Sequence, residues 1–171
     1  MRTAPPVIAY VGLGSNLGRR EAAVLGALRA LESAGAARVN RVSSLYESEP
    51  DGIPGAPRFV NAVAEVEPLL AAAGLLERMK SIEAGMGRTS GHLESREIDL
   101  DLITYGTETG VFGSLVLPHP RFHSRAYVLI PLCEIAPDFV CPKTGVAVTE
   151  LVARMGTGAG GVERISGRTL G

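Results

Sequence analysis

The chain has 171 residues, 46% of them apolar, which is enough for one sizeable core and tight for two. Its 17 Lys and Arg against 18 Asp and Glu leave a net charge of -1, excluding the diffuse attraction that drives non-specific binding to nucleic acid or anionic membrane. Two cysteines, Cys133 and Cys141, are too few for a disulfide framework and lack zinc-site spacing, and there is no leader-like start and no apolar run of about 18 residues. The expectation is a single domain over 1–171, cytoplasmic, monomeric, with no nucleic-acid or membrane partner.

In chain order, residues 7–12 are a run of β-formers ending in the turn chemistry of Gly12, Gly14, Ser15 and Asn16. Over 19–32, Val24, Leu28 and Leu31 recur at four and three, which predicts a helix. Residues 38–46 and 58–66 read as strands, and the Pro- and Gly-rich 48–57 between them is a loop. Leu75, Met79, Ile82 and Met86 predict a second helix, ending near Gly85 or Gly87. After a polar stretch, 88–97, the alternation that opens 98–103 predicts a strand. Residues 115–117 form a further short strand, and 124–135 a helix capped by Ser124 and stopped before Pro137. From Gly156 onward the glycine-rich composition predicts a flexible tail.

Strand, helix, strand, strand, helix, strand is the order of an α+β, ferredoxin-like split βαβ sandwich: an antiparallel sheet with helices packed on one face. The opposite face is then available for ligand. This architecture hosts many activities, so function must come from a site.

Asp99 and Asp101 lie two apart on a strand, so both carboxylates point the same way with Cα atoms roughly 6 to 7 Å apart. Such a pair suits Mg²⁺, which binds through one or two carboxylates and completes its shell with water and phosphate oxygens. The same pair also fits the polar face of a half-exposed strand. Arg88, Arg96, Arg121 and Arg125 surround it in sequence and offer planar forks to phosphate. Arg125, at a helix start, faces the positive end of the dipole unless an anion is there too. His119, held between Pro118 and Pro120, is either a phosphate donor or a structural turn residue. Lys80 and Glu83, three apart on the second helix, form a surface pair or face a nucleotide. Leu17 replaces the third glycine of G-x-G-x-x-G, and no Walker sequence occurs, so neither glycine-rich phosphate loop is present.

Four segments in order carry a family resemblance: Val11-Gly12-Leu13-Gly14-Ser15-Asn16-Leu17; Phe59-Val60-Asn61-Ala62; Arg96-Glu97-Ile98-Asp99-Leu100-Asp101; and Pro118-His119-Pro120-Arg121 running on to Arg125-Ala126-Tyr127-Val128-Leu129. From Tyr10 to the last helix the chain resembles the 6-hydroxymethyl-7,8-dihydropterin pyrophosphokinases of folate biosynthesis. The resemblance implies attack of a pterin hydroxymethyl oxygen on the β-phosphorus of ATP, giving AMP and the pterin diphosphate. It further implies two Mg²⁺ ions on Asp99 and Asp101, and Arg88 and Arg96 as catalytic residues on mobile loops. Lys80, Glu83, Leu102, His119 and Arg125 are implied on the ATP side, and Ser48, Phe59, Asn61, Tyr127 and Leu93 on the pterin side. The 88–95 loop departs from the family in lacking a tryptophan, of which the chain has none. Without the resemblance, the residues also leave open a ferredoxin-like binding module without catalysis. A sheet-surface RNA binder fits poorly, because 5% aromatic content gives few stacking groups.

Overall fold

A computed structural model describes residues 5–52, 54–87, 97–159 and 161–165. Strand β1 (Ala9–Ser15) leads into helix α1 (Arg20–Ser33), then β2 (Ala37–Val42), β3 (Tyr46–Ser48), β4 (Phe59–Pro68) and helix α2 (Ala72–Gly85). Strand β5 (Asp99–Tyr105) is followed by a hairpin of β6 (Gly110–Phe112) and β7 (Leu115–Leu117), helices α3 (Ala126–Ile135) and α4 (Val148–Met155), and strand β8 (Val162–Arg164). The main sheet is antiparallel, in the order β5-β1-β4-β3-β8, with β2 also pairing β4.

Period-two alternation sorts each central strand onto two faces. Ala9, Val11 and Leu13 of β1, with Val60, Ala62, Ala64 and Val66 of β4, pack against Val24, Ala27, Leu28 and Leu31 of α1 and Leu75, Met79 and Ile82 of α2. Leu31, Leu75 and Met79 are wholly buried, and a side chain of this size contributes about 1.5–3 kcal/mol when removed from water. Helix α2 stops where Gly87 adopts φ +92°, the left-handed region that favours glycine.

The expectation of helices on one face alone is corrected. Val63 of β4 and Ile103 of β5 point the other way, into a second core with Phe122, Leu129 and Leu132, so α3 and α4 cover part of the opposite face. That face carries apolar side chains at one end of the strands and polar or glycine positions at the other, and only the apolar end needs covering.

Three local expectations also change. The strand expected over 38–46 is interrupted at 43–45, where Ser43 Oγ accepts the Val63 N–H at 3.0 Å and donates to the Ser44 carbonyl at 2.8 Å. Ser124 caps no helix. It lies in a 3₁₀ turn (Phe122–Ser124), donates to the Arg121 carbonyl at 3.0 Å, and leaves Arg125 as the α3 N-cap. The chain beyond Gly156 is not a featureless tail over its described part: Val162, Glu163 and Arg164 pair with Ser48, Glu47 and Tyr46. Among the described residues, no helix is long and apolar enough to cross a membrane.

Candidate active site

Asp99 and Asp101 leave β5 on the ligand-facing side, half-buried, while Leu100 between them points into the core. In the ladder Asp99 sits opposite Gly14, which in turn sits opposite Asn61; Asp101 sits opposite Gly12, and Gly12 opposite Val63. The two glycines thus open a flat strip between the carboxylates and Asn61. A Cβ on Gly14 would come within 3.3 Å of Asn61 Oδ1 and 3.6 Å of Phe59 Cδ1; one on Gly12 would come within 3.3 Å of Ile103 Cδ1. The family-like first turn is therefore a floor for a ligand and not a phosphate loop.

A cleft of about 810 Å³ stands on this floor, bounded by Phe59, Asn61, Ser48, Tyr127, Arg125 and the aspartate pair. Asn61 is buried and its Nδ2 donates to Ser48 Oγ at 2.8 Å, so the amide orientation is fixed by its neighbour on β3. Opposite, the Arg125 guanidinium lies 5.6 Å from the Tyr127 ring centre. Burial pushes the Tyr127 phenol up to about 12, and its hydroxyl donates to Asp51 Oδ2 at 3.4 Å across the cleft mouth. Asp51 was not foreseen, since one carboxylate in a Pro- and Gly-rich loop carries no local signal.

A second cleft, about 990 Å³, lies on the other side of the carboxylates and is bordered by Lys80, Ser114, Leu115, His119 and Pro120. Asp99, Asp101 and Arg121 border both clefts.

Asp101 is held between a cation and an imidazole. Arg125 Nη1 is 3.2 Å from Asp101 Oδ2, and His119 Nε2 is 3.8 Å from Asp101 Oδ1. The His119 N–H donates to the Ile103 carbonyl at 2.8 Å, fastening the histidine to β5. Burial is the main cause holding its imidazole below the usual 6.5, against the pull of the Asp101 carboxylate and with a push from Arg125 and Arg121. Its Nδ1 accepts the Arg121 N–H at 3.2 Å, which assigns the proton of the neutral ring to Nε2, a donor. Arg125 Nε is buried and lacks a hydrogen-bond partner, an unmet donor beside the aspartates.

Two ATP-side residues, Glu83 and Leu102, border the second cleft from buried positions. Glu83 is not half of a surface pair with Lys80: it is 3% exposed, and its Oε1 accepts the Leu100 N–H at 2.7 Å. A strand-edge amide next to the metal-type carboxylates would otherwise be buried unmet, and this outweighs an exposed i, i+3 pair. Leu102 borders the second cleft, but its side chain is 3% exposed in the core below β5. Lys80 is exposed at that cleft's rim. Arg88, Leu93 and Arg96 lie outside the described residues.

The donor set suits Mg²⁺. Among the described residues no group of three or more His, Cys, Asp and Glu gathers as a closed metal cage, whereas two adjacent hard carboxylates opening onto two clefts match an ion that shares its shell with phosphates and water.

Comparison with known proteins agrees with this arrangement. The family described as 7,8-dihydro-6-hydroxymethylpterin-pyrophosphokinase (HPPK) matches residues 10–137, well over half of the chain. The chain belongs to that family. A 2-amino-4-hydroxy-6-hydroxymethyldihydropteridine pyrophosphokinase of Haemophilus influenzae is 37% identical over 147 residues, 85% of this chain and 91% of the relative. The enzyme of the same name from Methylorubrum extorquens is 39% identical over 158 residues, 92% and 98% of the two chains. The fold is that of Plasmodium falciparum HPPK-DHPS with pterin and p-hydroxybenzoate (TM-score 0.73, 14% identity), over 96% of this chain and 47% of that one. The chain thus spans about half the length of that structure's chain and nearly all of the Haemophilus and Methylorubrum relatives. All four resemblance motifs begin within the matched span.

Proposed function

We propose that the glycine-floored cleft binds 6-hydroxymethyl-7,8-dihydropterin, that the second cleft binds ATP, and that the pterin's hydroxymethyl group meets the ATP phosphates at Asp99 and Asp101. The observation that carries this reading is the junction itself: two adjoining clefts share the same carboxylate pair and Arg121. The chain is a pyrophosphokinase, transferring diphosphate from ATP to the hydroxymethyl group of the pterin. The hydroxymethyl oxygen bonds to the β-phosphorus, the bond to the α-bridging oxygen breaks, AMP leaves, and the hydroxyl proton passes to solvent.

Phe59 and Tyr127 supply aromatic walls for a flat ring, and Asn61, pinned by Ser48, presents an amide to its polar edge. Neutral His119 donates from Nε2 to a phosphate oxygen, and Arg125 adds charge and its unmet Nε donor. Glu83 acts through β5, holding the backbone between the two aspartates in place. Magnesium held by Asp99 and Asp101, two ions in this reading, supplies neutralisation of charge across the phosphates. Arg88 and Arg96 as catalytic residues, and Leu93 over the pterin, rest on the resemblance. Catalysis is then chiefly alignment of acceptor and phosphorus with water excluded. The sheet order β5-β1-β4-β3, with α1 and α2 on one face, supports the ferredoxin-like split βαβ description. Pairing of β8 with β3 supports one domain over 1–171. We read the enzyme as a cytoplasmic monomer.

Substitution of the carboxylates tests the site. Asp99→Ala and Asp101→Ala each lower turnover by at least about 10²-fold, the scale of a lost charge-stabilising group, while far-ultraviolet circular dichroism is unchanged. Near-normal turnover in either variant removes that residue from the metal site.

A further inference from the structure

The base of the 49–57 loop is held by an ion network in which nothing belongs to the clefts' own lining except Glu49. Glu47, in the middle of β3, has Oε1 2.8 Å from Arg20 Nη1 and Oε2 3.1 Å from Arg58 Nη1. Arg58 Nε lies 3.0 Å from Glu49 Oε1, without the alignment of a hydrogen bond, and Nη2 donates to the Gly161 carbonyl at 3.4 Å. From the β1–α1 turn Asn16 Nδ2 donates to the Pro57 carbonyl at 3.2 Å, and from the first residue of α1 Arg20 Nη1 donates to the Arg58 carbonyl at 2.7 Å. Two consecutive carbonyls that lie before the β4 ladder begins are thus gripped by side chains, and the loop's other end is gripped by Arg58 and by β8.

Burial ranks these contacts. Arg20, Glu47 and Arg58 are 32%, 26% and 31% exposed, so their charges are partly screened from water; Glu49 is 70% exposed and its pair counts for little. The triad sits one residue from each of two groups on the cleft: Glu47 precedes Ser48, and Arg58 precedes Phe59, with Ser48 and Phe59 directly opposite in the β3–β4 ladder. A shift of the triad moves the Ser48 hydroxyl that orients Asn61, and the Phe59 ring, together.

We propose that Arg58, held by Glu47 and Arg20 and braced by β8, is a positioning residue for the acceptor wall, setting Ser48, Phe59 and Asn61 for the pterin without touching it. The proposal rests on the assignment of that cleft to the pterin. Arg58→Met raises KM for 6-hydroxymethyl-7,8-dihydropterin about tenfold, with kcat and KM for ATP within about twofold, and Arg58→Lys, which keeps the Glu47 pair, recovers most of the loss. Should Arg58→Met fail to fold, Glu47→Gln, which keeps the shape and removes the charge, gives a smaller change in the same direction. A lower melting temperature with both KM values unchanged overturns the proposal. Amide hydrogen exchange in the ligand-free protein separates it from the cleft assignment: in Arg58→Met the amides of Glu47, Ser48 and Glu163 exchange faster while those of β1 do not. If the wild-type protein turns over no pterin, the cleft assignment fails; if exchange at β3 and β8 is unmoved, the brace fails, whatever the turnover.

Discussion

Glu83 Oε1 accepts the backbone N–H of Leu100 at 2.7 Å, so a buried carboxylate of α2 fixes the residue between the two aspartates that face the clefts. The bond crosses from the apolar layer to the reactive strand. It makes the geometry of the carboxylate pair depend on a side chain of α2 at the border of the second cleft.

Removing that acceptor has a defined consequence. Glu83→Ala leaves the Leu100 N–H without its partner, which costs about 1–3 kcal/mol of stability, and turnover falls because the carboxylates lose their support. Glu83→Gln retains an oxygen acceptor and restores most of both. Urea unfolding midpoints and steady-state rates of the two variants check this; equal losses in Glu83→Gln and Glu83→Ala mean that charge, not the hydrogen bond, is what matters.

The glycine floor predicts a substrate-selective defect. Gly14 has no positive φ, so alanine meets no backbone strain there, but its Cβ stands 3.3 Å from Asn61 Oδ1. Gly14→Ala therefore displaces the amide and raises KM for the pterin about tenfold, leaving KM for ATP within about twofold. Initial rates against each substrate in turn measure the split, and a matched rise in both KM values contradicts the floor.

Four tyrosines and no tryptophan make alkaline titration readable. Burial pushes Tyr10, Tyr46 and Tyr127 up to about 12, and Tyr105 upward as well; in Tyr10 and Tyr46 the carboxylates of Glu65 and Glu134, which accept their hydroxyl hydrogens at 3.2 and 2.9 Å, add to it. Between about 10 and 12 the native chain keeps phenol protons that the unfolded chain has released. Their contribution to stability is therefore fully present below pH 10 and is lost as pH rises towards 12. Phenolate absorbance should rise only above the ordinary tyrosine range, together with a falling melting temperature; a midpoint near 10 in folded protein contradicts the burial of these hydroxyls.

How far the sequence carried the account follows from where each signal resides. Val24, Leu28 and Leu31 announce α1, and Asp99 and Asp101 announce a shared face, because those periodicities are local. Strand β8 was hidden, since Val162–Arg164 gains its ladder from Tyr46–Ser48, more than a hundred residues away. Glu83 sits beside Ile82 at the margin of the α2 stripe, where sequence alone cannot tell a surface pair from a buried acceptor. The covering of Val63 and Ile103 by α3 and α4 is likewise tertiary: α3 is apolar nearly all round, so its pattern does not say which sheet face it meets. The fourth motif gave His119 and Arg125, but their convergence on Asp101 needed the β5 register.

The most direct measurement follows phosphorus through one reaction of pure protein with ATP, Mg²⁺ and 6-hydroxymethyl-7,8-dihydropterin, resolving products by ³¹P NMR. The account predicts AMP and the pterin diphosphate in equal amounts, formed only with Mg²⁺ and only with both substrates present. ADP with a pterin monophosphate, or ATP left intact, contradicts it.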